Sequence, residues 1–285
     1  MNINFLLPGY GHWIIFLCCF FAICFVGCSP LKENYEQEVK HGLLQSLPKG
    51  LLTEKDIAHL PMPVQKYIRY SKSLNKEKVG NFKITFSGKI RKDSTSGWMN
   101  LTSEQYNFVE KPTRLFYLKA IMKGLPVRGF HCYKEGVAFM DIRLFSFYKV
   151  QYQQGIEMGQ SETVTFFNDM CCLAPATLID DRIKWVEIDA HRVLATFTCK
   201  KIIISANLLF NDEGQLINFI SDDRYAQMKD NTMKKFRWST PLKNYKEIDG
   251  RMLPGYAETI YSYPEGDFCY GIFKIESAEY NCVDK

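Results

Sequence analysis

Two adjacent carboxylate pairs, Asp180-Asp181 and Asp222-Asp223, are the residues in this chain whose type and spacing most resemble catalytic machinery. Neighbouring carboxyls whose pKa values are driven apart can divide acid and base work between them. Both pairs stand at predicted strand or helix ends, where solvated acids are ordinary. The five histidines, at positions 12, 41, 59, 131 and 191, form neither an H-x-x-x-H pair nor an H-E-x-x-H motif. His131, in a strand-like segment, reads as a satisfied or surface imidazole rather than a metal ligand. There is no G-x-S-x-G elbow, no P-loop and no dinucleotide-binding glycine fingerprint. The sequence therefore implies no catalytic residue, no metal and no cofactor. A hydrolase assembled from distant residues such as Asp181, Asp223 and Glu104 is the last of three functional readings.

A second set of residues suits binding instead. Glu104, Gln105 and Arg128 fall in predicted strands or beside the turn GLPVRG (Gly124–Gly129). A buried charge needs a partner, and a Glu104–Arg128 pair would supply one. Phe116 and Leu118 lie in the run LFYLKAIM, apolar on both alternating faces, as is Ile202–Phe210. Two apolar faces imply burial on both sides, by an ordinary core or around an enclosed ligand. Trp98 and Trp238 are core or rim of such a cavity.

The residue with the most definite chemistry is Cys28. The first 27 residues contain no Lys, Arg, Asp or Glu, and Ile14–Gly27 is an apolar run that stops at this cysteine. The run is shorter than the roughly 20 residues a spanning helix needs, and Pro8, Gly9 and Gly11 break its upstream side, so an export signal fits. Val26-Gly27-Cys28 followed by Ser29-Pro30 resembles the lipobox of bacterial lipoproteins. That resemblance implies removal of residues 1–27, acylation of Cys28, and a location in the bacterial cell envelope on the outer membrane or the inner membrane facing the periplasm. An uncleaved anchor helix is the alternative, and it too tethers the chain.

The net charge of +5 is spread over 36 basic and 31 acidic residues with no basic tail or stripe, so nucleic acid is not an expected partner. Six cysteines follow Cys28, at 132, 171, 172, 199, 269 and 282, without a C-x-x-C among them. They read mostly as small buried apolar residues.

Residues 28–56 read as a tether with a helical segment around Tyr35–Ser46, and 57–285 as one β-rich domain. PVQKYIRY (Pro63–Tyr70) has helical spacing. From Phe82 the period becomes two, and strand-like runs recur to Tyr280, including Phe236–Thr240 and Leu242–Ile248 on either side of Pro241. Asn211–Gly214, Asp249-Gly250 and Pro264–Asp267 are hairpin signals, and such short links imply antiparallel pairing. Ser161–Leu173 interrupts the strands as a helix with Ser161 at its N-cap. The expected fold is mainly β (α+β), a curved antiparallel sheet or half-barrel meander with a few helices packed across one face.

LPMPVQKYIRY (60–70), Gly97-Trp98 through Glu104-Gln105-Tyr106, GLPVRG, WSTPLKNYKEIDGRMLP (238–254) and YPEGDF (263–268) occur in this order. Together they resemble an uncharacterised bacterial family, one of the domains of unknown function, over roughly residues 57–282. The resemblance implies a fold similar to the half-barrel of the LolA/LolB lipoprotein carriers and supplies no catalytic residues. The leading reading is a membrane-tethered, non-enzymatic envelope lipoprotein that binds or carries an apolar, lipid-like ligand. The second is an envelope interaction protein with a solid core.

Overall fold

The computed structural model describes residues 30–228 and 230–284; Cys28 and the export signal lie outside the described residues. Thirteen strands form one antiparallel sheet. They are β1 (Asn81–Ile90), β2 (Met99–Phe108), β3 (Thr113–Met122), β4 (Leu125–Lys134), β5 (Val137–Leu144), β6 (Tyr148–Gln154), β7 (Ile183–Asp189), β8 (Arg192–Cys199), β9 (Ile202–Phe210), β10 (Leu216–Gln227), β11 (Met233–Ile248), β12 (Arg251–Tyr263) and β13 (Gly266–Tyr280). The sheet order is β6-β5-β4-β3-β2-β1-β13-β12-β11-β10-β9-β8-β7. It is two meanders joined where β13 returns to pair with β1. Short turns drive this arrangement. Asp249 and Gly250 both have positive φ (50° and 67°), which a two-residue turn matched to strand twist requires.

Four helices are described: α1 (Pro30–Leu43), α2 (Glu54–Ile57), α3 (Met62–Tyr70) and α4 (Ile156–Leu173), with a 3-10 turn at Pro175–Ile179. Helix α4 packs on β4, β5 and β6 and also on β9, β10 and β12. Seven strands separate β5 from β10 in the sheet order. At about 4.8 Å per strand a flat sheet would hold β5 and β10 nearly 40 Å apart, so the sheet must curl around the helix. The two ends of the curl meet near the start of α4. Lys200, in the β8–β9 turn, pairs with Glu135 in the β4–β5 turn at 3.0 Å. A Cβ on Gly159 of α4 would sit 2.1 Å from the Gly136 carbonyl, so only glycine permits this approach.

Helix α4 begins at Ile156, five residues before the expected cap. The Ser161 hydroxyl is taken by β10 instead, accepting from the Tyr225 N–H at 3.0 Å. Phe236–Thr240 and Leu242–Ile248 are one strand. Pro241, which has no N–H to give, stands at a point in β11 with no register partner on β12. Helices α3 and α4 lie on the inner face of the curl, and α1 lies on the outer face. Residues 30–43, which the sequence assigns to a tether, bury Leu31, Tyr35 and Val39 against Phe108, Leu115, Tyr117, Phe130 and Cys132. The two apolar sides of β3 therefore meet α1 outside and the main core inside. Strand β9 is different: Ile204, Ala206, Leu208 and Phe210 are buried, but Ile203 is 63% exposed, so burial on both sides fails there. The six described cysteines are all free; Cys132, Cys171, Cys172 and Cys199 are buried.

Candidate functional site: an apolar trough over a polar floor

Successive rungs across β2, β3, β4 and β5 build one wall of the curl's interior. Asn107 faces Arg114, which faces Tyr133; next come Gln105, Phe116, His131 and Met140; then Ser103, Leu118, Gly129 and Ile142; then Leu101, Ala120, Val127 and Leu144. Alternation puts all these side chains on the inner face. The wall passes from polar to apolar within two rungs.

The polar end is closed by α4. Glu162 and Asp169, seven residues apart, share one helix face. Arg114 donates from Nε to Asp169 Oδ2 at 2.7 Å and from Nη1 to Glu162 Oε2 at 3.2 Å. Its Nη2 donates to Gln105 Oε1 at 3.0 Å, and Gln105 and Asn107 donate to Asp169 in turn. From the opposite side, Arg224 of β10 reaches Glu162 Oε1 at 3.4 Å and the Tyr261 hydroxyl. Glu162 thus sits between two arginines contributed by the two halves of the sheet. All four charged side chains are largely buried, Glu162 to 4% exposure. Burial pushes the Asp169 carboxyl up against the pull of Arg114. Burial opposes charge on Arg224, but Tyr261, Tyr270 and Glu162 hold its pKa above the ordinary value. Two charges balanced by two charges, with their hydrogen bonds filled, is the form in which buried ions are tolerated.

Above this floor the inner face is less completely covered. Met122, Ile142 and Leu144 on one side, and Phe236, Tyr263 and Phe273 on the other, face inward yet stay only half-buried. One side is mostly aliphatic. The other is aromatic, with Tyr261 stacked on Tyr270 at 5.5 Å and Phe236 edge-on to Tyr263 at 4.8 Å. Two polar atoms on the inner face, Ser103 Oγ and His131 Nε2, are buried with no hydrogen-bond partner among the described residues. Such orphans are uncommon in folded proteins and call for an explanation. Burial drives the His131 imidazole down to about 4, so at neutral pH it is uncharged.

The structure brings together part of the expected set. Gln105 lies in the floor; Phe116, with Arg114 over its ring at 4.9 Å, and Leu118 lie in the wall. Trp238 is fully buried, giving its indole N–H to the Tyr270 hydroxyl at 3.1 Å, with Arg224 over its ring at 4.9 Å. Trp98 is at the rim, 36% exposed, under Arg91, whose guanidinium also covers Phe268 of the aromatic wall. Glu104 and Arg128 point to the outer face. Glu104 accepts from the Tyr35 hydroxyl at 2.9 Å and pairs with Lys83 at 3.2 Å, so the expected Glu104–Arg128 pair does not form. Register explains it: Glu104 stands across β3 from Phe130, whereas Arg128 lies one rung along, across β3 from Thr102. The residues missed were Arg114, Glu162, Asp169 and Arg224. The available signal was a lone arginine in an apolar strand together with two acids seven apart on a buried helix.

The carboxylate pairs do not converge. Asp180 pairs with Arg182, Asp222 with Arg237, and Asp223 with Lys235. Among the described residues no group of three or more His, Cys, Asp or Glu is placed to hold a metal ion, and no described helix is long and apolar enough to cross a membrane.

Residues 50–273 match the model of a family of unknown function, DUF6544. The chain belongs to that family. The match covers most of the stretch whose ordered motifs pointed to such a family. No curated protein matches the sequence. The chain is similar in fold to a putative outer membrane lipoprotein-sorting protein domain from Vibrio parahaemolyticus, at 8% identity and TM-score 0.41, over 72% of this chain and 87% of that one. A LolA superfamily protein from Nitrosomonas europaea is similar at 7% identity and TM-score 0.40, over 78% and 93%. A DUF1329 family protein from Desulfovibrio piger is similar at 11% and 0.40, over 78% and 93%. At these scores nothing about ligand or activity passes from those proteins to this one.

Proposed function

We propose that this chain is a non-enzymatic protein of the bacterial cell envelope, tethered to a membrane through an acylated Cys28, that binds an apolar, lipid-like ligand in the trough above α4. One observation carries the reading: inward-facing aliphatic and aromatic walls remain half-buried above a charged, hydrogen-bonded floor. Ligand sites for small apolar molecules have this composition, mostly apolar lining with a few placed polar groups.

The test uses the full chain purified from membranes in mild detergent. Native mass spectrometry is expected to find a co-purifying lipid mass, and a fluorescent fatty acid is expected to bind saturably. Met122→Asp, at the half-buried wall, should abolish the uptake and Ile203→Asp, on the outside of β9, should leave it intact. No added mass together with no saturable uptake overturns the trough. The tether is tested separately: labelled palmitate should enter the wild-type chain and not Cys28→Ser.

A second reading, an interaction protein with a solid core, draws support from the burial of all but three of the 18 residues of α4. A protein partner co-purifying in place of a lipid would favour it.

A further inference from the structure

On the outer face of β3–β6, four cations stand in direct register. Lys119 faces Arg128, Arg128 faces Arg143, and Arg143 faces Lys149. Like charges directly opposite each other destabilise a sheet. Among the described residues only Arg143 has a carboxylate partner, Asp141 at 2.7 Å. Arg128 donates to its neighbouring Val127 carbonyl, and Lys149 lies over the Tyr152 ring. A lysine on an edge strand commonly guards against strand addition, which accounts for Lys149 on β6. It does not account for Lys119, Arg128 and Arg143, which lie on interior strands.

Beyond the row the hairpins end in a tip that is mostly apolar, with one exposed lysine, Lys123, in the β3–β4 turn. Ile121, Leu125, Phe145, Phe147 and Tyr148 are exposed, Phe147 to 60%. The β3–β4 and β5–β6 turns are adjacent, because the Phe145 N–H donates to the Pro126 carbonyl at 2.9 Å. Phe145 and Phe147 stack at 6.1 Å. Phe145 (φ 51°) and Ser146 (φ 71°) are consecutive left-handed residues. A bulky side chain rarely adopts that conformation, and such strain concentrates at functional sites. From Lys119 to Ile121 is two residues, about 7 Å of strand. Interfacial apolar side chains sink about 5–10 Å below the headgroups, while long cationic side chains stay at the surface.

We propose that the β3–β4 and β5–β6 tips insert into an anionic bilayer, with the Lys119–Arg128–Arg143–Lys149 row seated against lipid phosphates. The pairing of an aromatic tip with a cationic row one step behind it complements a charged lipid surface in both depth and sign. This contact is separate from Cys28 and does not depend on the trough.

The test is hydrogen–deuterium exchange of the full chain reconstituted into vesicles of phosphatidylcholine alone, or with about 30% phosphatidylglycerol. Exchange at residues 121–126 and 144–149 is expected to slow by about tenfold in the anionic vesicles only. Residues 183–209, on the far edge of the sheet, serve as the control. Lys119→Glu with Lys149→Glu should remove the protection, and the Gln versions should reduce it; both lysines are exposed, so the fold should tolerate these changes. Equal exchange in the two vesicle types, or protection that survives charge reversal, overturns the proposal. So does protection by soluble polyglutamate matching that by anionic vesicles, which would point to an acidic protein.

Discussion

Strand β3 is covered on both sides, yet its two faces are built by different chemistry. Inside, Arg114 ties the strand to α4 through two buried carboxylates, and Phe166 and Phe167 of that helix are completely enclosed, Phe167 stacked on Phe197 at 5.2 Å. Outside, α1 lays four buried residues on a small satellite cluster, held by a hydrogen bond from Tyr35 to the half-exposed Glu104 and an exposed ion pair between Glu38 and Lys134. The inner contact closes a charge balance that cannot be broken piecemeal. The outer contact is an amphipathic helix resting on a surface, as separable as its modest area allows.

The comparison is broken most severely at Arg114. Arg114→Ala leaves Asp169 and Glu162 buried without their shared partner, and removing one member of such a network costs about 3–5 kcal/mol. Urea denaturation should show that loss; a loss below about 1 kcal/mol, the range of exposed pairs, would mean the inner network is no stronger than a surface one.

Next comes acid. The folded chain keeps His131 neutral down to about pH 4, whereas an unfolded imidazole takes up a proton near pH 6.5. Between those values the unfolded state binds the proton that the folded state refuses, so stability falls as pH falls. By pH 5 the loss from this group is about 2 kcal/mol. Denaturation midpoints at pH 7.5 and 5 should converge in His131→Phe by that amount relative to wild type; an unchanged gap would place the imidazole in water.

The smallest effect belongs to the outer face. Tyr35→Phe keeps the ring contacts with Tyr117 and Phe130 and loses one hydrogen bond, while Glu104 retains Lys83. The expected cost is about 1 kcal/mol or less, with faster hydrogen exchange confined to residues 30–43. Global unfolding on this change would show that α1 belongs to the core as fully as α4.

The strands, the hairpin at Asp249-Gly250 and the interrupting helix were legible in the sequence because each is set by neighbours a few residues away: period two, period 3.6, and turn residues that accept positive φ. The same local signals misplaced two boundaries. Ser161 looked like a helix cap until β10 claimed its hydroxyl, and Pro241 looked like a break until the sheet left its missing N–H without a partner to satisfy.

Sequence by itself determined that this is an antiparallel β protein with one buried helix, and that β3 must be covered on both faces. Which element covers which face was decided only by the tertiary structure. So were the joining of Arg114 to Asp169, 55 residues away, and the alignment of Lys119, Arg128, Arg143 and Lys149 in one row. The reason is physical: alternation reports that a face is buried but carries no address for its partner, and partners at long separation are chosen when the sheet curls and closes on the helix inside it.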